Sequence, residues 1–126
     1  MLKYAGSREQ NISDSKIVKI LSTVPEGKGF HFFTALGQNT DETATSLEMF
    51  AQKLERIDAN SVNFHFKRKD FQNWIQTTVG DGVLAGRIGK VSEKLTFEDL
   101  RSEIVKIVQE RISQLRTLHG ELIASQ

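Results

Sequence analysis

Short apolar segments with helical spacing alternate with polar turns along the chain. The strongest pattern lies at 46–57, where five apolar side chains would share one helix face: Leu47, Phe50, Ala51, Leu54 and Ile57. Thr45 and Glu48 match a capping box at the start of this segment. We therefore predict a helix over 46–57.

Three shorter segments carry the same spacing. The first, 16–24, would follow a cap at Asp14 or Ser15, although its β-branched residues are also typical of a strand. The second covers 71–79, with Asp70 as its cap. The third covers 82–89, after a turn at Gly80 and Asp81.

The last third of the chain carries the longest apolar stripe. Its positions are Phe97, Leu100, Ile104, Ile107, Val108, Ile112, Leu115, Leu118 and Leu122. With Thr96 as the cap, they predict a helix over 96–124 that is roughly 40 Å long. Such a helix either wraps the chain's own core or packs part of its stripe against a second copy or a partner protein. The pattern leaves both alternatives open.

Two segments have the character of strands. Residues 30–36 are aromatic and lie between Gly29 and Gly37, and residues 62–66 alternate apolar and polar side chains. Because a lone strand leaves its backbone groups unpaired, we expect 30–36 to pair with 62–66 or across a dimer interface. The predicted fold is α+β and predominantly α, with four or five helices and at most a small two-stranded antiparallel ribbon. It would form one domain over 14–126 after a mobile arm at 1–13.

Composition narrows the classes of function. The 126 residues suit one domain, and 17 basic against 16 acidic residues give a net charge of +1, which argues against a dedicated nucleic-acid binder. The chain has no cysteine, which excludes disulfides and thiolate-ligated metals. No segment has the apolar length of a signal peptide or a membrane span, so we expect a cytoplasmic protein without membrane contact.

The segment richest in chemical groups is FHFKRKDF at 64–71. It would form an anion or sugar-phosphate site from His65, Lys67, Arg68, Lys69 and Asp70. In this site Arg68 makes bidentate contacts, His65 supplies a hydrogen-bond donor and a helix N-terminus adds its dipole. The plain alternative is a solvated strand-to-helix corner, in which Asp70 is a cap and Arg68 pairs with a neighbouring carboxylate. The three consecutive cations also suggest a weak nucleic-acid site, which the near-neutral net charge disfavours.

No complete catalytic motif occurs in the sequence. His31, His65 and His119 lie on three different predicted elements and lack the spacing of metal ligands. On a strand, His65 would face away from Asp70, which argues against an acid–base pair. We therefore predict a binding or regulatory module without enzymatic activity, cofactor or metal. It would form a homo-oligomer through the C-terminal helix or bind a partner protein, or alternatively bind a phosphorylated small molecule.

Four segments resemble an uncharacterised prokaryotic family that is frequent in archaea, domain of unknown function 5752. They are GFHFFTALGQNT, ATSLEMFAQKLERI, SVNFHFKRKDFQNWI and GDGVLAGRI, within residues 28–90. The matching positions are Phe32, Gly37, Thr40, Ala44, Ser46, Leu47, Phe50, Ser61, Phe64, His65, Arg68, Asp70, Phe71, Trp74, Gly80, Asp81, Leu84 and Ala85. The resemblance implies an accessory or regulatory domain rather than a catalyst, and it leaves the long C-terminal helix outside the family-like part.

Overall fold

A computed structural model describes residues 12–124 of the chain, and within that range it contains six α-helices and one two-stranded antiparallel sheet. In chain order these are α1 (Asp14–Leu21), β1 (Phe30–Ala35), β2 (Gln38–Ala44), α2 (Leu47–Leu54), α3 (Ala59–Arg68), α4 (Asp70–Trp74), α5 (Gly82–Gly89) and α6 (Phe97–Ala124). A 3₁₀ turn at Glu26–Lys28 precedes β1, and a π-helical turn at Ile75–Val79 continues α4. The α+β class and the antiparallel ribbon are confirmed, but the prediction of four or five helices was wrong.

The additional helix is α3, which occupies the segment that was predicted to be a strand. Its buried residues are Ser61, Val62, His65 and Phe66, a set that recurs with helical rather than alternating spacing. Asp58 caps the helix by accepting a hydrogen bond from the Asn60 amide, and the left-handed Lys69 ends it. The strand prediction for 62–66 was wrong because Phe64 is apolar but does not lie on the buried face of the helix.

The partner of β1 is β2, not residues 62–66. The two strands pair in the register Phe30–Ala44, His31–Thr43 and Phe32–Glu42, and the chain reverses through Gly37 in the left-handed region. The sequence of β2, QNTDETA, gave no apolar signal because most of its side chains are exposed. The hairpin places Phe30 and Phe32 in the core, where Phe30 makes ring contacts with Phe50.

The helix caps differ from those predicted by one residue or more. Ser13 caps α1, rather than Asp14 or Ser15, and Ser46 caps α2, rather than Thr45. The first amide of α6, that of Phe97, donates to the Asn63 side chain on α3. Residues 1–11 of the predicted mobile arm lie outside the described residues.

The stripe of α6 packs against α1, α2, α3 and α5 of the same chain. Its buried apolar side chains are Leu100, Ile104, Val105, Val108, Ile112 and Leu115. Phe97 was predicted to face inward, but it is 48% exposed because α6 begins there with a positive φ angle. The alternative in which α6 wraps its own core therefore accounts for most of the stripe, and self-association through α6 stays a prediction.

Gly29, which leads into β1, leaves no room for a side chain. A Cβ atom there would lie 2.7 Å from Thr43 Cγ2 and 2.8 Å from the Ala44 carbonyl oxygen, while one at Gly27 would meet nothing within 4 Å. Because strand backbone must shift to admit it, Gly29→Ala should lower the free energy of unfolding by about 1–2 kcal/mol. Urea unfolding measures this, with Gly27→Ala as the matched control. Equal stability of the two variants would contradict the prediction.

Candidate functional site

Three of the predicted site residues meet where α3 turns into α4, an arrangement we call the corner (His65, Arg68 and Asp70). His65 Nδ1 lies 2.8 Å from Asp70 Oδ2, and Arg68 Nε donates to the same oxygen at 3.0 Å. The backbone N–H of Phe33 donates to His65 Nε2 at 2.8 Å. Since an N–H group can only donate, Nε2 must be the unprotonated nitrogen and Nδ1 carries the proton.

The corner connects the sheet to the helices. His65 is 4% exposed, and burial lowers its pKa below the ordinary value of 6.5, although the hydrogen bond that His65 Nδ1 donates to Asp70 acts in the opposite direction. The imidazole is therefore neutral at pH 7, and both of its nitrogens already have partners within the chain. The predicted role of His65 as a donor to an anion does not agree with this geometry, and Asp70 is no helix cap, because Lys69 occupies the N-cap position of α4.

Arg68 lies at the surface side of the corner. Its side chain is about half exposed, and its guanidinium carbon lies 5.1 Å from the centroid of the Phe64 ring. It borders a groove of about 290 Å³ between the hairpin and the corner, which we call the hairpin groove. Residues lining it are Gly29, Phe30, His31, Phe33, Leu36, Gly37, Phe64, His65, Arg68 and Asp70.

Lys67 and Lys69, the other two predicted site residues, border a different cavity. It has a volume of about 390 Å³ and lies between the end of α3, α4 and the segment that joins α5 to α6. We call it the two-lysine pocket, and its lining is Asn63, Phe66, Lys67, Lys69, Gln72, Gly89, Val91, Glu93, Leu95, Thr96 and Leu100. Successive residues of a helix point about 100° apart, so consecutive cations at its end diverge. The five residues predicted as one site thus form two.

Gln72 is a pocket residue that the sequence did not single out. Its Oε1 atom is buried and accepts no hydrogen bond from any of the described residues. A buried acceptor without a donor is destabilising by about 1–3 kcal/mol, so it marks a position where a bound donor would be favoured. Nothing in the sequence near Gln72 distinguishes it from an exposed helical glutamine.

Asp81 and Arg111 form a buried ion pair that the sequence analysis also missed. Arg111 Nε donates to Asp81 Oδ2 at 2.7 Å and Nη2 donates to Oδ1 at 3.0 Å, and both side chains are 1% exposed. Asp81 also caps α5 by accepting from the Leu84 amide. The sequence does contain a sign that Arg111 is buried. It lies three residues after Val108 and four before Leu115, which places it on the apolar face of the helix.

Two kinds of structural feature are absent from residues 12–124. No group of three potential metal-ligating side chains occurs there, and no described helix is long and apolar enough to cross a bilayer. The expectation that nucleic acid is not the ligand stays a prediction. Lys67, Lys90 and Lys94 are exposed, and Lys67 borders the two-lysine pocket.

Comparison with known proteins gives a family but no characterised relative. Residues 67–124 match the model of a family of unknown function, DUF5752. No curated protein and no solved structure matches the chain. The matched range begins after His65 and includes α6, whereas the resemblance in the sequence was drawn over 28–90 and left α6 outside. The part of the chain from the end of α3 through α6 is thus similar to the family of unknown function DUF5752.

Proposed function

We propose that the protein is a non-enzymatic binding module for a small phosphorylated polyol, such as a sugar phosphate, which binds in the two-lysine pocket. One observation carries the proposal: two lysines without ion-pair partners among the described residues border the same cavity as Gln72, whose side-chain oxygen is buried without a donor. A ligand that supplies both a negative group and hydroxyl donors satisfies both features.

The charges of the pocket suit a phosphate. Lys67 and Lys69 each present an ammonium group with three donors, and Glu93 is the one carboxylate in the lining. A phosphate near the two lysines would gain charge-assisted hydrogen bonds, which are about twice as strong as neutral ones. The carboxylate of Glu93 would accept from ligand hydroxyls.

The rest of the lining suits the carbon skeleton of a polyol. Phe66, Val91, Leu95 and Leu100 supply an apolar surface, while Gln72 supplies the acceptor. Small-molecule sites typically combine such a surface with a few fixed polar groups and have volumes of about 300–1,000 Å³. Inorganic phosphate alone cannot reach both the lysines and the apolar surface, so we expect it to bind less tightly.

Two further facts support a binding role without catalysis. Most of the lining residues lie within 67–124, the part of the chain that matches the family, whereas most of the hairpin groove lies outside it. His65, the histidine of the corner, is buried and neutral, and both of its nitrogens form hydrogen bonds within the chain. It has no free nitrogen with which to act as a general base.

Isothermal titration with glucose 6-phosphate, glucose and inorganic phosphate tests the proposal. We expect the sugar phosphate to bind most tightly, and the double variant Lys67→Gln/Lys69→Gln to weaken it at least about tenfold, since charged hydrogen bonds contribute about 1.5–3 kcal/mol each. Lys106→Gln, an exposed lysine on α6, is the matched control for loss of charge.

A second variant examines the polyol part separately. Gln72→Met keeps the volume but removes the acceptor, so it should weaken the sugar phosphate and leave inorganic phosphate unchanged. Absence of binding by glucose 6-phosphate, glycerol 3-phosphate and ribose 5-phosphate at millimolar concentrations would overturn the proposal. So would an equal loss of affinity in the Lys106 control.

A further inference from the structure

We infer that the hairpin groove is a second binding site, which takes a small monocarboxylate with an aromatic or aliphatic body. This inference does not depend on the proposed function, because the two-lysine pocket and the hairpin groove share no lining residue. It rests on the apolar surface of the groove, on the guanidinium of Arg68 and on the charge of Asp70.

The walls of the groove are apolar and partly open to water. Phe33 and Phe64 are half-buried, and Leu36 at the hairpin turn is 77% exposed. Gly37 at the hairpin turn contributes no side chain to the lining, and a Cβ atom there would meet nothing within 4 Å, so this side of the groove is open. A ring or short alkyl chain in this space would bury apolar surface of both the ligand and the groove. Such burial favours binding by about 25 cal/mol for each Å² removed from water.

Arg68 supplies the polar contact. Its Nε donates a hydrogen bond to Asp70, and its guanidinium carbon lies 5.1 Å from the centroid of the Phe64 ring, so the side chain is already oriented before a ligand binds. The two terminal nitrogens form a fork that fits the two oxygens of a carboxylate. Less rotamer entropy is lost on binding when the side chain is held in advance.

The charge of the site favours a monoanion over a dianion. Asp70 is bonded to the same guanidinium that would receive the ligand, so its carboxylate repels a second anionic group. Apolar walls also make it costly to remove water from a doubly charged phosphate. A carboxylate with an apolar body meets both conditions, and this distinguishes the groove from the two-lysine pocket.

The position of the groove is fixed by the corner. The hydrogen bond from Phe33 to His65 holds β1, which forms one wall, to the helix that carries Phe64 and Arg68, which form the other. Both walls are therefore set by contacts that do not involve a ligand. Such preorganisation favours small ligands, for which each non-hydrogen atom contributes little binding energy.

Titration monitored by amide NMR shifts tests the inference. Phenylacetate should bind with shifts at Phe33, Leu36, Phe64 and Arg68, while acetate, which lacks the apolar body, and phenylacetamide, which lacks the charge, should bind at least about tenfold more weakly. Phenyl phosphate should bind more weakly than phenylacetate. Prior saturation with glucose 6-phosphate should leave the phenylacetate affinity unchanged.

Variants identify the groups responsible. Arg68→Gln should weaken phenylacetate at least about tenfold, and Leu36→Ser should weaken it to a smaller extent. Arg116→Gln is the control, because Arg116 is also an exposed arginine in an ion pair, with Glu48 on α2. Equal affinities of phenylacetate and phenylacetamide, an unchanged affinity in Arg68→Gln, or no shifts in the groove at millimolar phenylacetate would each overturn the inference.

Discussion

Replacing Arg111 with methionine should lower the free energy of unfolding by about 3–5 kcal/mol. The variant leaves the Asp81 carboxylate buried without its cation, and the penalty for an uncompensated buried charge is large. The methionine fills much of the volume, so the loss comes mainly from electrostatics. Urea unfolding of wild type and variant at pH 7 measures the difference.

A control and a double variant separate the buried charge from the loss of an arginine in general. Arg116→Met removes an exposed ion pair with Glu48 and should change stability by no more than about 1 kcal/mol. Asp81→Asn combined with Arg111→Met should be more stable than Arg111→Met alone, since asparagine still caps α5 and carries no charge. A loss below about 1 kcal/mol for Arg111→Met would contradict the prediction.

The ion pair has a consequence for the proposed site. It joins the start of α5 to the middle of α6, and the two-lysine pocket is lined by Gly89 at the end of α5 and Leu100 near the start of α6. A buried pair is weak evidence for stability as such, because an apolar pair of similar volume often serves as well. Its geometric effect is to hold the two helices that carry one wall of the pocket.

Elements that bury one face were predictable from the sequence. The helices α2, α5 and α6 each have apolar residues at helical spacing, because one face of each helix is buried in the core. The strand β2 was missed because exposure of most of its side chains leaves no apolar pattern. Side-chain exposure also explains why α3 was predicted to be a strand. Phe64 lies next to the Arg68 guanidinium outside the core, and together with the buried Val62 and Phe66 it produces the apolar–polar alternation that is typical of a strand.

In the candidate sites, only contacts between residues that are close in sequence could be predicted. His65, Arg68 and Asp70 are close in sequence, and they do meet at the corner. The separation of Lys67 and Lys69 from Arg68 depends on where α3 ends, and that is set by the left-handed Lys69. Partners distant in sequence, such as Phe33 with His65 or Asp81 with Arg111, leave no local pattern from which they could be paired.

Replacing His65 with leucine should lower the free energy of unfolding by about 2–3 kcal/mol at pH 7. The variant removes the acceptor of the Phe33 amide, and an unsatisfied buried donor costs about 1–3 kcal/mol. It also removes a hydrogen bond to Asp70, which keeps Arg68 as a partner. The leucine retains apolar contacts with the surrounding phenylalanines. A change below about 0.5 kcal/mol in urea unfolding would show that the corner does not hold the hairpin.

The pH dependence of stability gives an independent reading of the same residue. Burial lowers the pKa of His65 in the folded protein below 6.5, whereas Asp70 raises it and Arg68 lowers it to smaller extents. As the pH falls through 6.5, the unfolded chain therefore takes up a proton before the folded protein does, and stability falls. The contribution of the neutral imidazole is complete above about pH 6.5, the ordinary pKa of histidine.

Urea unfolding between pH 7.5 and 5.5, in steps of about half a unit, should show a loss of stability on acidification that is smaller in His65→Leu. His31→Gln, an exposed histidine on β1, should retain the wild-type loss, because it leaves His65 in place. Equal slopes for wild type and His65→Leu would mean that other groups govern the acid response, and that His65 does not become protonated on unfolding.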